Sequence, residues 1–461
     1  MLFSSNVFLY LYFPLVLAMY FLTPKHWRNL TLFLVSLFFY GWGEPVYVVL
    51  MVATIALNYI CGLSIHRKKR RGLCAKDTLI LGVVMNLTIL GFFKYFNFFV
   101  ENLQVLIPPL RSWEVPQVSL PIGISFYVFQ SMSYIIDVYR DDAPVQKNAI
   151  NFGTYVTLFP QLIAGPIVRY ADVAQQMERR EENVEKFASG VRLFVVGLAK
   201  KVLLANQMGA LWDTLQTGSG TLGAWVGIAA YSLQLYFDFS GYSDMAIGLG
   251  RMLGFQFLIN FDYPYISRSI TEFWRRWHMS LSTWFREYVY IPLGGNRKGL
   301  KRQIVNLLVV WGLTGFWHGA SWNFLLWGLF YGLVLILEKL VLLKVLGKTP
   351  KPLRHVYALF IVLLGWALFY FEDMGALGSF FGRLFTPAAT CAVSVNAILG
   401  YLPLLVVTCV AATPLGNWVY RRIAHKTLGR WVILVLTMVL FTLCVAVLVS
   451  NSYNPFIYFR F

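Results

Sequence analysis

Charge is what this sequence has least of. Asp, Glu, Lys and Arg make up 13% of its 461 residues, and acids are scarcer than bases, 21 against 39. Soluble globular chains carry about a quarter of their residues charged, so that class is excluded. Cysteine is sparse too, five residues with no paired spacing. Cys61, Cys409 and Cys444 fall in apolar runs, Cys74 falls in a basic loop, and only Cys391 is placed to face outside. That pattern supports neither a disulfide framework nor a zinc site, and no metal is implied. Internal repeats, linkers and low-complexity stretches are also missing. Transporters often show repeats and paired broken helices, so a transporter or flippase of lipid-linked sugar is the weaker reading. The N-terminal stretch lacks a basic n-region and a small-residue cleavage site, so its apolar run reads as a retained span rather than a signal peptide.

What remains is apolar and aromatic. Hydrophobic residues make up 58% and aromatic rings 17% of the chain, which predicts an all-α polytopic membrane protein in one domain, residues 1–461. The net charge of +18 would suggest nucleic acid in a soluble protein. Here the bases cluster in short loops between apolar runs, so the expected partner is the lipid bilayer and not nucleic acid. The run His66 to Arg71, His-Arg-Lys-Lys-Arg-Arg, is the strongest such signal. Placing it in the cytosol, with the loop at Lys25 and Arg28, puts the N-terminus outside. Pro108, Pro109 and Pro116 then mark an exterior loop, and the tail from Asn451 is also outside. Phe152 to Ile163 is short and interrupted by Pro160, which predicts a re-entrant hairpin. Tyr170 to Lys186, with charges of both signs, reads as a surface helix. The count is about twelve spans by the ~20-residue rule.

The chain is organised around Thr271 to Tyr331, which holds two of its six histidines, His278 and His318. His278 stands among Trp274, Arg275, Arg276, Trp277 and Trp284, an aromatic and cationic mixture suited to the membrane interface. His318 follows a charge-free run, Ile304 to Trp317, and precedes another, Trp322 to Leu337. A run of about 14 residues rises only ~21 Å as a helix, short of the ~30 Å hydrocarbon core. The turn His318-Gly319-Ala320-Ser321 is therefore expected at membrane depth. An ionisable group there either bonds backbone groups between helices or works as a general base or proton relay. His26, His66, His355 and His425 sit in or beside basic loops and read as surface residues. Lys200 and Lys201 break another apolar run; they either snorkel to an interface or face an internal anionic ligand. Asp238 and Asp244 lie six apart in an apolar helix, on unlike faces, and each is expected to make a local polar contact, for example with Tyr or Ser across helices.

These motifs resemble a known family. Phe273 to Pro292, FWRRWHMSLSTWFREYVYIP, and Trp317 to Trp322, WHGASW, look like the membrane-bound O-acyltransferase family. Phe159 to Tyr170, Val196 to Asn206 and Leu235 to Ser243 also match it, in the same order along nearly the whole chain. The likeness is greatest to its bacterial polysaccharide branch, typified by alginate O-acetyltransferase. The resemblance implies a ring of about 11–12 transmembrane helices, with re-entrant and interfacial helices around a central funnel. It implies transfer of an acetyl group from cytosolic acetyl-CoA, a substrate rather than a bound cofactor, toward an extracytoplasmic polysaccharide or peptidoglycan. The expected setting is a bacterial cytoplasmic membrane, with an extracytoplasmic SGNH-hydrolase-like acetyltransferase as partner. A related outcome is D-alanyl transfer to teichoic acid from a carrier protein.

Residue by residue, His318 matches the family's buried catalytic histidine and His278 its second histidine. Arg275, Arg276, Lys200 and Lys201 become candidates for the donor's phosphates; the plainer reading is positive-inside charge. The tail Phe456-Ile457-Tyr458-Phe459-Arg460-Phe461 resembles the Phe-x-Tyr-x-x-Phe motif of related acylation systems, which implies Tyr458 as a covalent acyl carrier. The plainer reading is an aromatic anchor at the outer interface.

The orientation is testable in a cysteine-free background. Single cysteines at Val115 or Ser452 should react with an impermeant maleimide added outside intact cells, and cysteines at Lys69 or Lys298 should not. Labelling at Lys69 would reverse the topology and the direction of acyl flow.

Overall fold

The computed structural model describes residues 1–112, 114–163, 165–218 and 220–450. Every regular element among them is a helix. In chain order these are α1 Phe13–Leu22, α2 Arg28–Gly43, α3 Tyr47–Arg70, α4 Lys76–Leu106, α5 Ile124–Arg140, α6 Ala149–Thr157, α7 Phe159–Leu162, α8 Tyr170–Glu178, α9 Val184–Ala199, α10 Asn206–Leu215 and α11 Gly220–Met252. There follow α12 Ile270–Arg276, α13 Met279–Phe285, α14 Gly299–His318, α15 Trp322–Leu337, α16 Leu343–Lys348, α17 Lys351–Tyr370, α18 Met374–Phe385, α19 Ala392–Ala411, α20 Leu415–Ile423 and α21 Thr427–Ser450. Five of the described helices, α3, α4, α17, α19 and α21, are long and apolar enough to cross a bilayer. The protein is an all-α polytopic membrane protein. Other apolar runs in the sequence fall on shorter helices, such as α2 and α5, or on helices that carry charge, such as α11 and α14.

The chain divides into two compact units. The first comprises Met1–Val191 and Ala246–Leu258. Within it α3 and α4 are tied by a reciprocal amide pair: Asn58 Nδ2 donates to Asn86 Oδ1 at 3.0 Å, and Asn86 Nδ2 donates to Asn58 Oδ1 at 2.8 Å. Both side chains are fully buried, so each amide satisfies the other where water cannot. The interrupted run at Phe152 to Ile163 is two short buried helices, α6 and α7. They part at Leu158, just ahead of Phe159-Pro160. A proline supplies no N–H and restricts the residue before it; the Phe159 N–H goes instead to Ser36 Oγ at 3.1 Å. The amphipathic stretch after Tyr170 begins with α8, which buries Tyr170, Val173, Ala174 and Met177 and leaves its charges outward.

The second unit comprises, among the described residues, Arg192–Met245 and the chain from Ile259 to Ser450. Its centre is the antiparallel hairpin of α14 and α15. The predicted turn falls at the expected residues, with α14 ending on His318 and α15 starting on Trp322. Gly315 and Gly328 let the two backbones touch. A methyl added at Gly328 would run into the Trp311 carbonyl, and one at Gly315 into the Phe324 carbonyl. Around this hairpin lies a core rich in rings, with Phe273, Trp277, Trp327, Tyr331, Trp366 and Phe369 all buried.

Because the obstructing atoms are backbone, relief at Gly328 requires the helices to move apart. Gly328→Val is expected to destabilise the protein by about 1–3 kcal/mol or more. The measurement is the fraction of detergent-solubilised protein remaining monodisperse after heating. A wild-type heating curve for Gly328→Val would show that the close approach carries no weight.

Candidate active site

The site is built on two short helices, α12 and α13. The start of α12 is specified locally by Ser269-Ile270-Thr271-Glu272, the spacing of a capping box. Ser269 Oγ accepts the Glu272 N–H at 3.0 Å, and the Glu272 carboxylate reaches back to the Arg268 N–H at 3.0 Å. The other free N–H groups of that first turn go to a distant acid. Glu338, fully buried, accepts from Ile270 N at 2.6 Å, Thr271 N at 2.7 Å and Thr271 Oγ1 at 2.6 Å. Tyr357 Oη donates to the same carboxylate at 3.2 Å. The negative charge also sits at the positive end of the helix dipole.

The end of α12 is equally constrained. Arg276 pairs with Glu272 at 3.0 Å and Asp262 at 3.1 Å. The chain then turns sharply, because His278 adopts the left-handed conformation at φ 44° and ψ 54°. That region is uncommon for a residue with a side chain, and histidine is among those enriched there. Asn260 holds the turn. Its carbonyl accepts the Met279 N–H at 2.9 Å. Its Oδ1 accepts Ser280 N–H at 3.1 Å and Ser280 Oγ–H at 2.9 Å, and stands 3.3 Å from His278 Nδ1. The His278 ring is 2% exposed, meets Phe239 edge-on at 4.7 Å and faces Trp317 at 6.1 Å. Burial pushes its basicity down, to a pKa of about 3, so the ring is neutral. Its Nε2 is buried with no hydrogen-bond partner among the described residues.

His318 ends α14 in a cage of rings. Trp317, Trp327 and Phe369 lie 5.0, 5.0 and 5.4 Å away, each within about a dozen degrees of perpendicular. His318 and His278 line one cavity of about 480 Å³, within the usual range for small-molecule sites. Trp274, Trp277 and Trp311 form part of its wall, and Arg275, Arg286 and Lys339 bring positive charge to it.

Of the residues singled out from sequence, His278, His318 and Arg275 come together at this cavity. Arg276 does not line it and is held by Asp262 and Glu272. Lys200 and Lys201 do not line it either. Lys200 Nζ lies 2.6 Å from Asp244 Oδ2, and Lys201 Nζ lies 2.6 Å from Asp238 Oδ1. The separate polar contacts expected of the two aspartates are thus made with lysines. Tyr458 and its tail lie outside the described residues. Sequence reasoning missed Glu338, Asn260, Arg286 and Lys339. The capping-box spacing at Ser269 was a readable signal; nothing local marked Asn260.

Residues 75–373 match the membrane-bound O-acyltransferase family. The chain belongs to that family. It is 46% identical over 390 residues to the probable alginate O-acetylase AlgI of Azotobacter vinelandii, covering 84% of this chain and 78% of that protein. It is 40% identical to the probable alginate O-acetylase AlgI of Pseudomonas putida over the full length of both chains. A peptidoglycan O-acetyltransferase of Helicobacter pylori is 35% identical over 414 residues, covering 81% of this chain and 78% of that one. As a membrane-bound O-acyltransferase, this protein is a membrane acyltransferase, and the motif-based resemblance in the sequence is correct.

Removing the Glu338 carboxylate strands several buried donors at once. Glu338→Ala is expected to cost about 3 kcal/mol or more, given about 1–3 kcal/mol for each buried group left unpaired. Glu338→Gln, which keeps one acceptor oxygen, should fall between the two. Loss of monodisperse protein on heating should rank Ala, Gln, wild type; an alanine variant as stable as wild type would remove the cap from this account.

Proposed function

We propose that this acyltransferase passes an acetyl group from cytosolic acetyl-CoA across a bacterial cytoplasmic membrane, for O-acetylation of an extracytoplasmic polysaccharide, either an alginate-like exopolysaccharide or peptidoglycan. The observation that carries this reading is the cavity in which His318 and His278 share a wall with Arg275, Arg286 and Lys339. The cations suit a polyanionic donor such as a coenzyme A thioester. The names of the alginate and peptidoglycan O-acetylating relatives supply the acceptor class.

His318 is the general base in this reading. Tyr458 attacks the thioester carbonyl through its phenol oxygen, and His318 takes the phenolic proton. A C–O bond forms, the C–S bond breaks, and the departing thiolate takes that proton to leave as free coenzyme A. A neutral phenol, with pKa about 10, is a weak nucleophile and needs such a base. The tyrosyl acetate is a more activated donor than an alkyl ester. An extracytoplasmic SGNH-hydrolase-like acetyltransferase then moves the acetyl group to the polymer. In this scheme both chain termini are outside.

The test is mass spectrometry of the C-terminal peptide after incubation with acetyl-CoA. An added acetyl group should appear on Tyr458, accumulate when the partner is absent, and vanish in His318→Ala, with turnover lower by about 10²-fold or more. Tyr458→Phe should insert normally and leave the polymer unacetylated. Normal acetylation by Tyr458→Phe would eliminate the carrier, and normal acetylation by His318→Ala would eliminate the base.

A further inference from the structure

The proton on His278 can be located from its neighbours. Asn260 Oδ1 faces the backbone N–H of Ser280 at 3.1 Å. A backbone N–H only donates, so the atom facing it must be the amide oxygen, which fixes the orientation of the Asn260 side chain. That same oxygen stands 3.3 Å from His278 Nδ1. An amide oxygen only accepts, so Nδ1 must carry the hydrogen; otherwise two lone pairs would confront each other in a buried site. Ser280 Oγ agrees. It is 2.9 Å from Asn260 Oδ1 and 3.5 Å from Nδ1, so its single proton goes to the nearer oxygen and its lone pairs face the Nδ1–H. A neutral imidazole protonated at Nδ1 has its lone pair on Nε2. In His278 that is the buried atom with no partner among the described residues, on a ring that lines the cavity.

We propose that Asn260 is a positioning residue that locks His278 as the Nδ1–H tautomer, so that His278 serves the reaction only as a hydrogen-bond acceptor through Nε2. The group it receives is an N–H or O–H of a bound substrate. It cannot be the donor that steadies the oxygen of the thioester carbonyl. The left-handed backbone at His278 is part of the device, because the Asn260 carbonyl on Met279 and the Asn260 side chain on Ser280 hold the turn that brings Nδ1 to Oδ1. The inference rests on the acyl-transfer reading for its catalytic meaning, and for the tautomer on hydrogen-bond geometry in a ring that burial keeps neutral.

The experiment is nitrogen NMR of the full-length protein labelled with 15N-histidine, in detergent micelles at neutral pH. The His278 resonances are identified by their absence in His278→Gln. Nδ1 is expected at a protonated, pyrrole-type shift and Nε2 at an unprotonated, pyridine-type shift. A protonated Nε2 in the wild-type spectrum overturns the proposal, and needs no Asn260 variant to do so. Asn260→Leu, similar in size but without an acceptor, should mix the two tautomers and lower acetyl transfer from acetyl-CoA by about tenfold. Asn260→Asp keeps the acceptor oxygen and should restore Nδ1 protonation and most of the turnover. An Asn260→Leu protein with wild-type shifts and wild-type turnover also overturns the proposal. Failure of the acyl-transfer reading, seen as full activity in His318→Ala, leaves the tautomer standing; a protonated Nε2 ends this inference with acyl transfer intact.

Discussion

Helix α12 starts where its first N–H groups are buried or partly buried, and the site depends on how they are satisfied. A helix leaves its first four N–H groups without partners in the helix, and in an apolar chain each must find one within the protein. Ser269 takes one and the fully buried Glu338 takes two more. Glu338 belongs to the turn that continues α15, so the cap ties α12 to the α14–α15 hairpin. The direction of α12 is then fixed, and with it the positions of Trp274 and Arg275 on the cavity wall. The turn between α12 and α13 is held from the other end by Asn260, and His278 is caught between the two anchors. The two histidines thus meet one cavity from segments about forty positions apart.

Much of this was legible in the sequence where chain length and charge decide the outcome. The charge-free run before His318 is too short to cross the hydrocarbon core by itself, and the break fell between His318 and Trp322. Pro160 marked the start of α7, because proline fits a helix's first turn, where its missing N–H is not needed, but would cost α6 a hydrogen bond if that helix ran on through it. What was not legible are the contacts between residues distant in the chain. Glu338 directly follows the apolar run Trp322 to Leu337 and looks like an ordinary boundary acid; its role depends on Ile270 and Thr271, nearly seventy positions earlier. Asn260 sits in a stretch with no motif, and the side chains it orders are eighteen to twenty positions away. The family's motifs pointed to His278 and His318 themselves, but a motif does not disclose which neighbour holds a ring in place.

The lysine pair shows the same limit from the electrostatic side. In the sequence Lys200 and Lys201 are two bare cations in an apolar run, and a ligand was a reasonable reading. In the fold each is opposed by a carboxylate of α11, which two aspartates six residues apart can supply only if adjacent lysines point to different places. Adjacent side chains on a helix do so, separated by about 100°. Lys201 and Asp238 are both nearly fully buried, and such a pair gains little over an apolar isostere because both ions are desolvated. The pairs do set register: a slide of one residue, about 1.5 Å of rise, would stretch both 2.6 Å contacts at once.

The same reasoning distinguishes the two histidines of the cavity. His318 is surrounded by rings, with Trp317, Trp327 and Phe369 nearly perpendicular to it, so packing fixes the plane of its imidazole. His278 has rings on one side and a polar clamp on the other, so packing fixes its plane and Asn260 fixes its proton. In a buried neutral imidazole the location of that proton decides what the ring does, since one nitrogen donates and the other accepts. Both rings line the same cavity. Arg275, Arg286 and Lys339 line it too and bring its positive charge separately from the two rings. Positive charge thus reaches the cavity on long side chains, while the imidazoles are rings whose planes are set by their aromatic neighbours.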